Sequence, residues 1–300
     1  MGNWCRAGRW ILAGIIKAEA PPRWFYDFRE LTPFFKSGAN LIAAEVFREW
    51  PINFTVSRGQ PGFLFEAEIT LANGKKATVK SDAGWRSQPA AQFPDTTTFD
   101  AGKEPFGWCL AGFDDSAWPA SREVTDVWET PVPSEIPPLM EARYPVARIE
   151  GLPGNNVFTN DGSFKVVFDK VLSGYPLVKV KGGKGATLTI QSRLQASFKL
   201  DGGVRTLAFP WMDEIAPAYT VKLSNVTAPL EILDEGAVFT SQLVAYKGSF
   251  ECSDEGLNQI WKVSRWAVQI CLQTHHLDSP NHQEPICDPG DYVIESMVND

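Results

Sequence analysis

Histidine is scarce in this sequence: 3 residues in 300, all between positions 275 and 282. No His-x-x-x-His or His-Glu-x-x-His spacing occurs, so the usual helical zinc-hydrolase patterns are missing. The 5 cysteines, Cys5, Cys109, Cys252, Cys271 and Cys287, are odd in number, widely spaced and without a Cys-x-x-Cys pair. Neither a disulfide framework nor a thiolate zinc site is indicated, and free, mostly buried thiols are expected. No run approaches the ~20 apolar residues that a membrane-spanning helix requires. Positive charge is also short, 28 Lys and Arg against 36 Asp and Glu for a net −8, which argues against a nucleic-acid or anionic-membrane partner.

Aromatic side chains are plentiful, with 11 Trp and 19 Phe against 6 Tyr. Rings of this kind fill β-sandwich cores and also stack on sugars; core packing is the ordinary reading of any one of them. The length allows two or three domains with sizeable cores. Near the start, Trp10–Ile16 is apolar and follows two arginines, as in a signal peptide, but Lys17 interrupts it after seven residues. A strand is the expectation there, and the pI of 5.1 fits cytoplasm or periplasm equally.

From Arg23 to about Trp85 the pattern is strand and turn. Leu41–Phe47 is apolar, and Phe63–Leu71 and Lys76–Lys80 flank Asn73-Gly74, the strongest short hairpin signal. Residues 88–143 are rich in proline, glycine and scattered tryptophan, and read as an irregular wrap ending in a linker, Pro131–Pro138. From about Val146 to Tyr246 short strands are expected at Phe164–Phe168, Leu177–Lys181 and Ala186–Ile190, with Gly182, Gly183 and Gly185 as turn residues. The period then changes. Ser253 is expected to cap a helix with Asp254 and Glu255 in its first turn, burying Leu257, Ile260, Trp261, Ser264, Ala267, Val268 and Cys271, and running to about Thr274. Pro280, Pro285 and Pro289 exclude a helix just beyond, and Asp288-Pro289 reads as the start of another.

Reactive side chains concentrate in that proline-held loop: Asp278, His282, Glu284, Asp288 and Asp291. One reading is a glycosidase acid site, in which Glu284 protonates a leaving oxygen while Asp278 and Asp291 hold sugar hydroxyls. A second is a metal site from His275, His276, His282 and nearby carboxylates or Cys287, although adjacent helical histidines point about 100° apart. The third is structural, with Asp288 and Asp291 capping a helix and the histidines complementing the end of the preceding one. The residues alone leave all three open.

The stretch Ser249–Trp261 resembles the "GSFxCSDxxLNxIW" lead into the helical barrel of the α-L-rhamnosidases, glycoside hydrolase family 78. His276–Asp291 resembles that family's "D-C-P-x-R-E-R-x-G-W-x-G-D" block, with Glu284 and Asp291 at the family's spacing of seven. Trp24–Asp27, Leu31–Pro33 and Gly38–Ala44 are similar to its N-terminal accessory sandwich, and Phe113–Trp118 with Ile136–Glu141 to the connector that follows. There are departures: one extra residue separates Asp278 from Glu284, the motif arginines are replaced by His282 or Gln283 and by Pro285, and Asp288 stands at the tryptophan position.

The resemblance implies a mainly β chain: two antiparallel, jelly-roll-like β-sandwiches followed by the first helices of an (α/α)6 barrel. Residues 1–145 would form the accessory sandwich and connector, 146–250 the second sandwich, and 251–300 the start of a truncated catalytic domain. It implies inverting removal of terminal α-L-rhamnose from glycosides or polysaccharides, with Glu284 as general acid, Asp278 and Asp291 as sugar-binding carboxylates, and no metal or other cofactor. The general base would come from a later part of the barrel, so little or no activity is expected of these residues alone. The rival reading is a non-catalytic carbohydrate-binding β-sandwich protein.

Overall fold

A computed structural model describes residues 25–46, 62–95, 98–105, 107–124, 131–208, 213–273 and 277. The chain is mainly β, with 1 α-helix among the described residues, and divides into two compact units. Residues 1–90 and 104–135 form the first; residues 91–103 and 136–300 form the second. No helix among the described residues is long and apolar enough to cross a membrane.

The first unit contains the expected hairpin. Strands Glu66–Thr70 and Lys76–Lys80 pair antiparallel, and Gly74 takes φ +76 in the turn, a conformation open to glycine. Outward-facing Glu68 and Lys76 meet at 2.6 Å and Glu66 and Lys80 at 3.2 Å, alternating with the half-buried Ala67 and Ile69. Trp85 lies 5.8 Å from Phe63 and 5.9 Å from Phe65, and its indole N–H donates to the Lys80 carbonyl at 2.7 Å. Two expectations differ. Leu41–Val46 is not a strand, and Leu41 and Val46 are exposed. Within the supposed linker, Val132-Pro133 pairs in parallel with Phe25-Tyr26; a two-residue pairing tolerates a proline because little ladder depends on its missing N–H.

The second unit is a sandwich of two six-stranded sheets among the described residues. In one, the order is Gly202–Ala208, Leu172–Gly182, Leu230–Ser241, Met140–Tyr144, with Asp213–Ile215 and Val157–Phe158 pairing alongside. In the other it is Thr98–Asp100, Gln195–Lys199, Thr187–Gln191, Ala218–Ser224, Gly162–Val167, Arg148–Glu150, antiparallel except for the first pair. The three strands expected from sequence are present. Met140–Tyr144, read from sequence as connector, is instead an edge strand, paired with Ala237–Ser241.

Alternation builds the core. Leu188 and Ile190 point inward and Thr187, Thr189 and Gln191 outward; across from them Tyr219, Val221 and Leu223 point inward. They meet Leu172, Val178, Val180, Leu230 and Ile232 of the other sheet in one apolar cluster. Tyr219 is 1% exposed, and its hydroxyl accepts from the Gly236 N–H at 3.0 Å and lies 2.9 Å from the Leu177 and Gly236 carbonyls. Burial pushes its phenol well above the ordinary range, so it serves as a neutral strut between sheets. At Gly174 a Cβ would stand 2.0 Å from the Val238 carbonyl oxygen, which leaves room for glycine only. The two long strands lose their alternation where they become buried on both faces: Leu172–Gly174 and Phe239–Ser241 are buried without a break. A helix covers the outer face there.

Candidate functional site

Glu284, Asp278 and Asp291 lie outside the described residues, as do His275, His276, His282, Cys287 and Asp288. The described residues show the platform that precedes them in the chain. Among the described residues, no group of three or more His, Cys, Asp or Glu is placed to hold a metal.

The platform begins before the helix. The Asn258 side chain donates to the Cys252 carbonyl at 2.9 Å and accepts from the Cys252 N–H at 3.0 Å, folding residues 252–257 back on the first turn. Helix α1 spans Glu255–Cys271, and its N-cap is Asp254, which accepts from the N–H groups of Gly256 and Leu257 at 2.8 and 3.3 Å. The sequence pointed to Ser253; a carboxylate one residue later satisfies two orphan donors and suits the positive end of the helix dipole. Glu255 accepts from Gln259 and Asn258, which holds its carboxyl below the usual range.

The buried face also differs from the sequence expectation. Leu257, Ile260, Ser264 and Ala267 are exposed, and of the expected stripe only Cys271 is fully buried. The face turned inward is aromatic and polar. Trp266 stacks on Phe239 at 5.3 Å and donates from its indole N–H to the Val171 carbonyl at 2.7 Å, while the Lys170 ammonium sits 3.5 Å above its ring. Tyr144 donates to Asp169 at 2.8 Å, and burial together with that carboxylate keeps its phenol protonated. Arg265 lies over Tyr246 at 3.8 Å, and Tyr246 donates to Gln269.

The helix ends in a polar latch. Gln273 is 6% exposed and uses its whole amide. Its nitrogen donates toward the Thr240 carbonyl at 3.0 Å, Ser173 Oγ at 3.1 Å and the Ile270 carbonyl at 3.1 Å; its oxygen accepts from the Thr240 hydroxyl at 3.3 Å. Ser173 in turn donates to the Thr240 carbonyl at 2.8 Å, and Ser241 donates to the Gln269 carbonyl at 2.8 Å. The Gln242 N–H meets the Leu272 carbonyl at 2.8 Å, and the Leu277 N–H closes on the Cys271 carbonyl at 3.0 Å. Leu277 is 1% exposed. Residues 271–273 and 277 are therefore anchored to the second sandwich, seven positions before Glu284. Sequence reading missed this latch; the visible signal was Gln269 and Gln273, one turn apart, next to Ile270 on a face otherwise read as apolar.

Residues 21–143 match the α-L-rhamnosidase N-terminal domain family. A curated α-L-rhamnosidase of Formosa agariphila is 26% identical over 90% of this chain and 32% of its own length. Another, of Streptomyces avermitilis, is 28% identical over 55% of this chain and 17% of its own. Among solved structures, a Streptomyces avermitilis α-L-rhamnosidase complexed with L-rhamnose has the same fold over 74% of this chain and 23% of its own, at 20% identity and a TM-score of 0.52. The chain thus spans about a third or less of the length of these relatives. Residues 21–143 thus match the α-L-rhamnosidase N-terminal domain, and over most of its length the chain is similar to α-L-rhamnosidases.

Proposed function

We propose that this chain supplies the β-domains and the first part of the catalytic domain of an inverting α-L-rhamnosidase acting on rhamnose-containing glycosides or polysaccharides. The observation that carries the reading is the similarity to the Formosa agariphila protein, which extends over 90% of the chain rather than over the N-terminal domain alone. The L-rhamnose in the structural relative supports the sugar class. In this reading residues 1–145 are the accessory sandwich and connector, 146–250 the second sandwich, and 251–300 the start of an (α/α)6 barrel whose first helix is α1.

Glu284 is the general acid that protonates the departing glycosidic oxygen, and Asp278 and Asp291 accept hydrogen bonds from rhamnose hydroxyls. Inversion needs a second carboxylate roughly 6.5–9.5 Å away, on the opposite face of the sugar, to activate water. The family resemblance assigns that base to a part of the barrel after residue 300. The 300 residues by themselves therefore release little or no rhamnose.

The test is release of the aryl group from an aryl α-L-rhamnoside. The chain alone is expected to give none above background. Joined to the remainder of the barrel it is expected to turn over, with Glu284→Gln lowering kcat by roughly 10²–10⁴-fold, the usual contribution of a positioned general acid. Robust turnover by the chain alone, or an active extended enzyme indifferent to Glu284→Gln, would overturn the reading.

A further inference from the structure

Of the asparagines in this sequence only Asn73 precedes a glycine, and residues 71–76 around it are all exposed. We propose that Asn73-Gly74 is a site of spontaneous covalent modification. There the Asn73 carboxamide closes on the Gly74 nitrogen, loses ammonia and is opened by water to aspartate or isoaspartate, the latter unlocking the hairpin. The site lies in the first unit and is independent of any role for Glu284.

The turn prepares the electrophile. The Lys75 N–H donates to Asn73 Oδ1 at 3.0 Å, where negative charge builds when the side-chain carbon is attacked. The Asn73 amide nitrogen, the leaving group, makes no hydrogen bond among the described residues. Glycine supplies an unhindered nucleophile: Gly74 has no Cβ to obstruct the approach of its nitrogen, and its φ of +76 is one that a side chain would disfavour. What holds the reaction back is the bond from the Gly74 N–H to the Leu71 carbonyl at 2.9 Å. That bond closes a hairpin of two five-residue strands with no third strand beside it among the described residues. Such a hairpin is only marginally stable and opens locally with ease.

A solvent base takes the Gly74 amide proton and the nitrogen attacks Asn73 Cγ. The N–Cγ bond forms, the Cγ–Nδ2 bond breaks, and the departing amide nitrogen takes a proton from water to leave as ammonia. Water then adds to the cyclic imide. Cleavage of the N–Cγ bond gives aspartate. Cleavage between the same nitrogen and the Asn73 backbone carbonyl carbon gives isoaspartate, with the main chain rerouted through the side chain. The net change is one water consumed and one ammonia released, without oxidant or reductant. The Asp-Gly pairs are poorer candidates, because a carboxylate is a weaker electrophile than a carboxamide and both are held. Asp161 accepts from the Val226 N–H at 2.8 Å, and Asp201 pairs with Arg205 at 2.6 Å. Isoaspartate inserts a methylene into the backbone of the turn, so the adjoining Thr70–Lys76 pair loses its register.

Peptide mapping by mass spectrometry tests the proposal on the whole folded chain held in oxygen-labelled water. The Asn73 peptide should exchange NH2 for labelled OH at least about tenfold faster than any other described asparagine, since only Asn73 has glycine after it. The rate should rise roughly tenfold per pH unit, because the attacking nitrogen must first lose its proton. Gly74→Ala should slow the exchange at least about tenfold. Asn73→Gln, whose longer side chain closes the ring poorly, should abolish it while leaving an amide in the turn. Amide exchange in the hairpin should quicken at least about fivefold in the isoaspartate form, but not in Asn73→Asp, which carries the charge without the extra methylene. Conversion confined to the urea-unfolded chain, equal conversion at Asn155 or Asn225, indifference to Gly74→Ala, or an isoaspartate form with unchanged hairpin exchange would each overturn it.

Discussion

In the first unit aromatic rings meet one another near the surface, whereas in the second they are sealed between facing sheets. Phe63, Phe65 and Trp85 form a cluster in which Phe63 is 40% exposed, and none of that unit's described residues is fully buried. In the second unit Phe164, Leu188, Ile190, Tyr219 and Leu230 are 2% exposed or less. Both units have alternating strands; among the described residues, a facing layer stands opposite them only in the second unit. A hairpin alone removes one face from water only partly, while two sheets about 10 Å apart remove it entirely and make every methylene count.

The comparison is broken most severely by a cavity in the sandwich. Leu188→Ala should cost about 2–5 kcal/mol, because facing sheets cannot collapse onto the gap; urea unfolding monitored on the second unit measures it. Next is the latch. Gln273→Leu leaves the Thr240 hydroxyl without its acceptor and should cost about 1–3 kcal/mol, with faster amide exchange at Leu272 and Leu277 than at the sandwich centre. In the first unit Trp85→Ala removes two ring pairs and one hydrogen bond from a half-open site. A loss of about 1–2 kcal/mol is expected, clearly below that of Leu188→Ala in the same unfolding measurement.

Smaller still is the Asp201–Arg205 pair at 2.6 Å, where the guanidinium holds the Asp201 carboxyl below its ordinary value of 3.8. A depressed folded-state pKa gives stability that is present above the unfolded value and lost as pH falls through the folded one. The stability difference between the native chain and Asp201→Asn should therefore be constant near neutrality and shrink on acidification below about pH 4. Least of all, Lys76→Ala breaks an exposed pair and should fall within about 0.5 kcal/mol.

Legibility followed the same division. The Asn73-Gly74 hairpin, the strands around Phe164, Val178 and Leu188, and the glycine turn between the last two were readable because period and turn chemistry are local. The N-cap was misplaced by one residue because Ser253 and Asp254 are both good caps, and only the backbone geometry chooses between them. The face of α1 was misread because the spacing of Leu257, Ile260, Ala267 and Cys271 describes a helix in isolation. In the structure that helix lies against the Ser173–Thr240 region of a sheet whose outer surface is polar at that point, so Gln269 and Gln273 turn inward. The three carboxylates proposed for chemistry were found by motif, and their placement lies outside the described residues.

The sequence by itself determined which segments alternate, where the chain must turn, that a helix begins near Ser253, and that the reactive side chains gather between 278 and 291. These depend on neighbours within a few positions. Which strands share a sheet, that Thr98–Asp100 and Met140–Tyr144 serve as edges of the second sandwich, and that a buried glutamine bolts the helix end to the two long strands were decided only by tertiary structure. Each of these joins residues far apart in the chain, and a polar group inside such a joint is stable only when every partner is already in place.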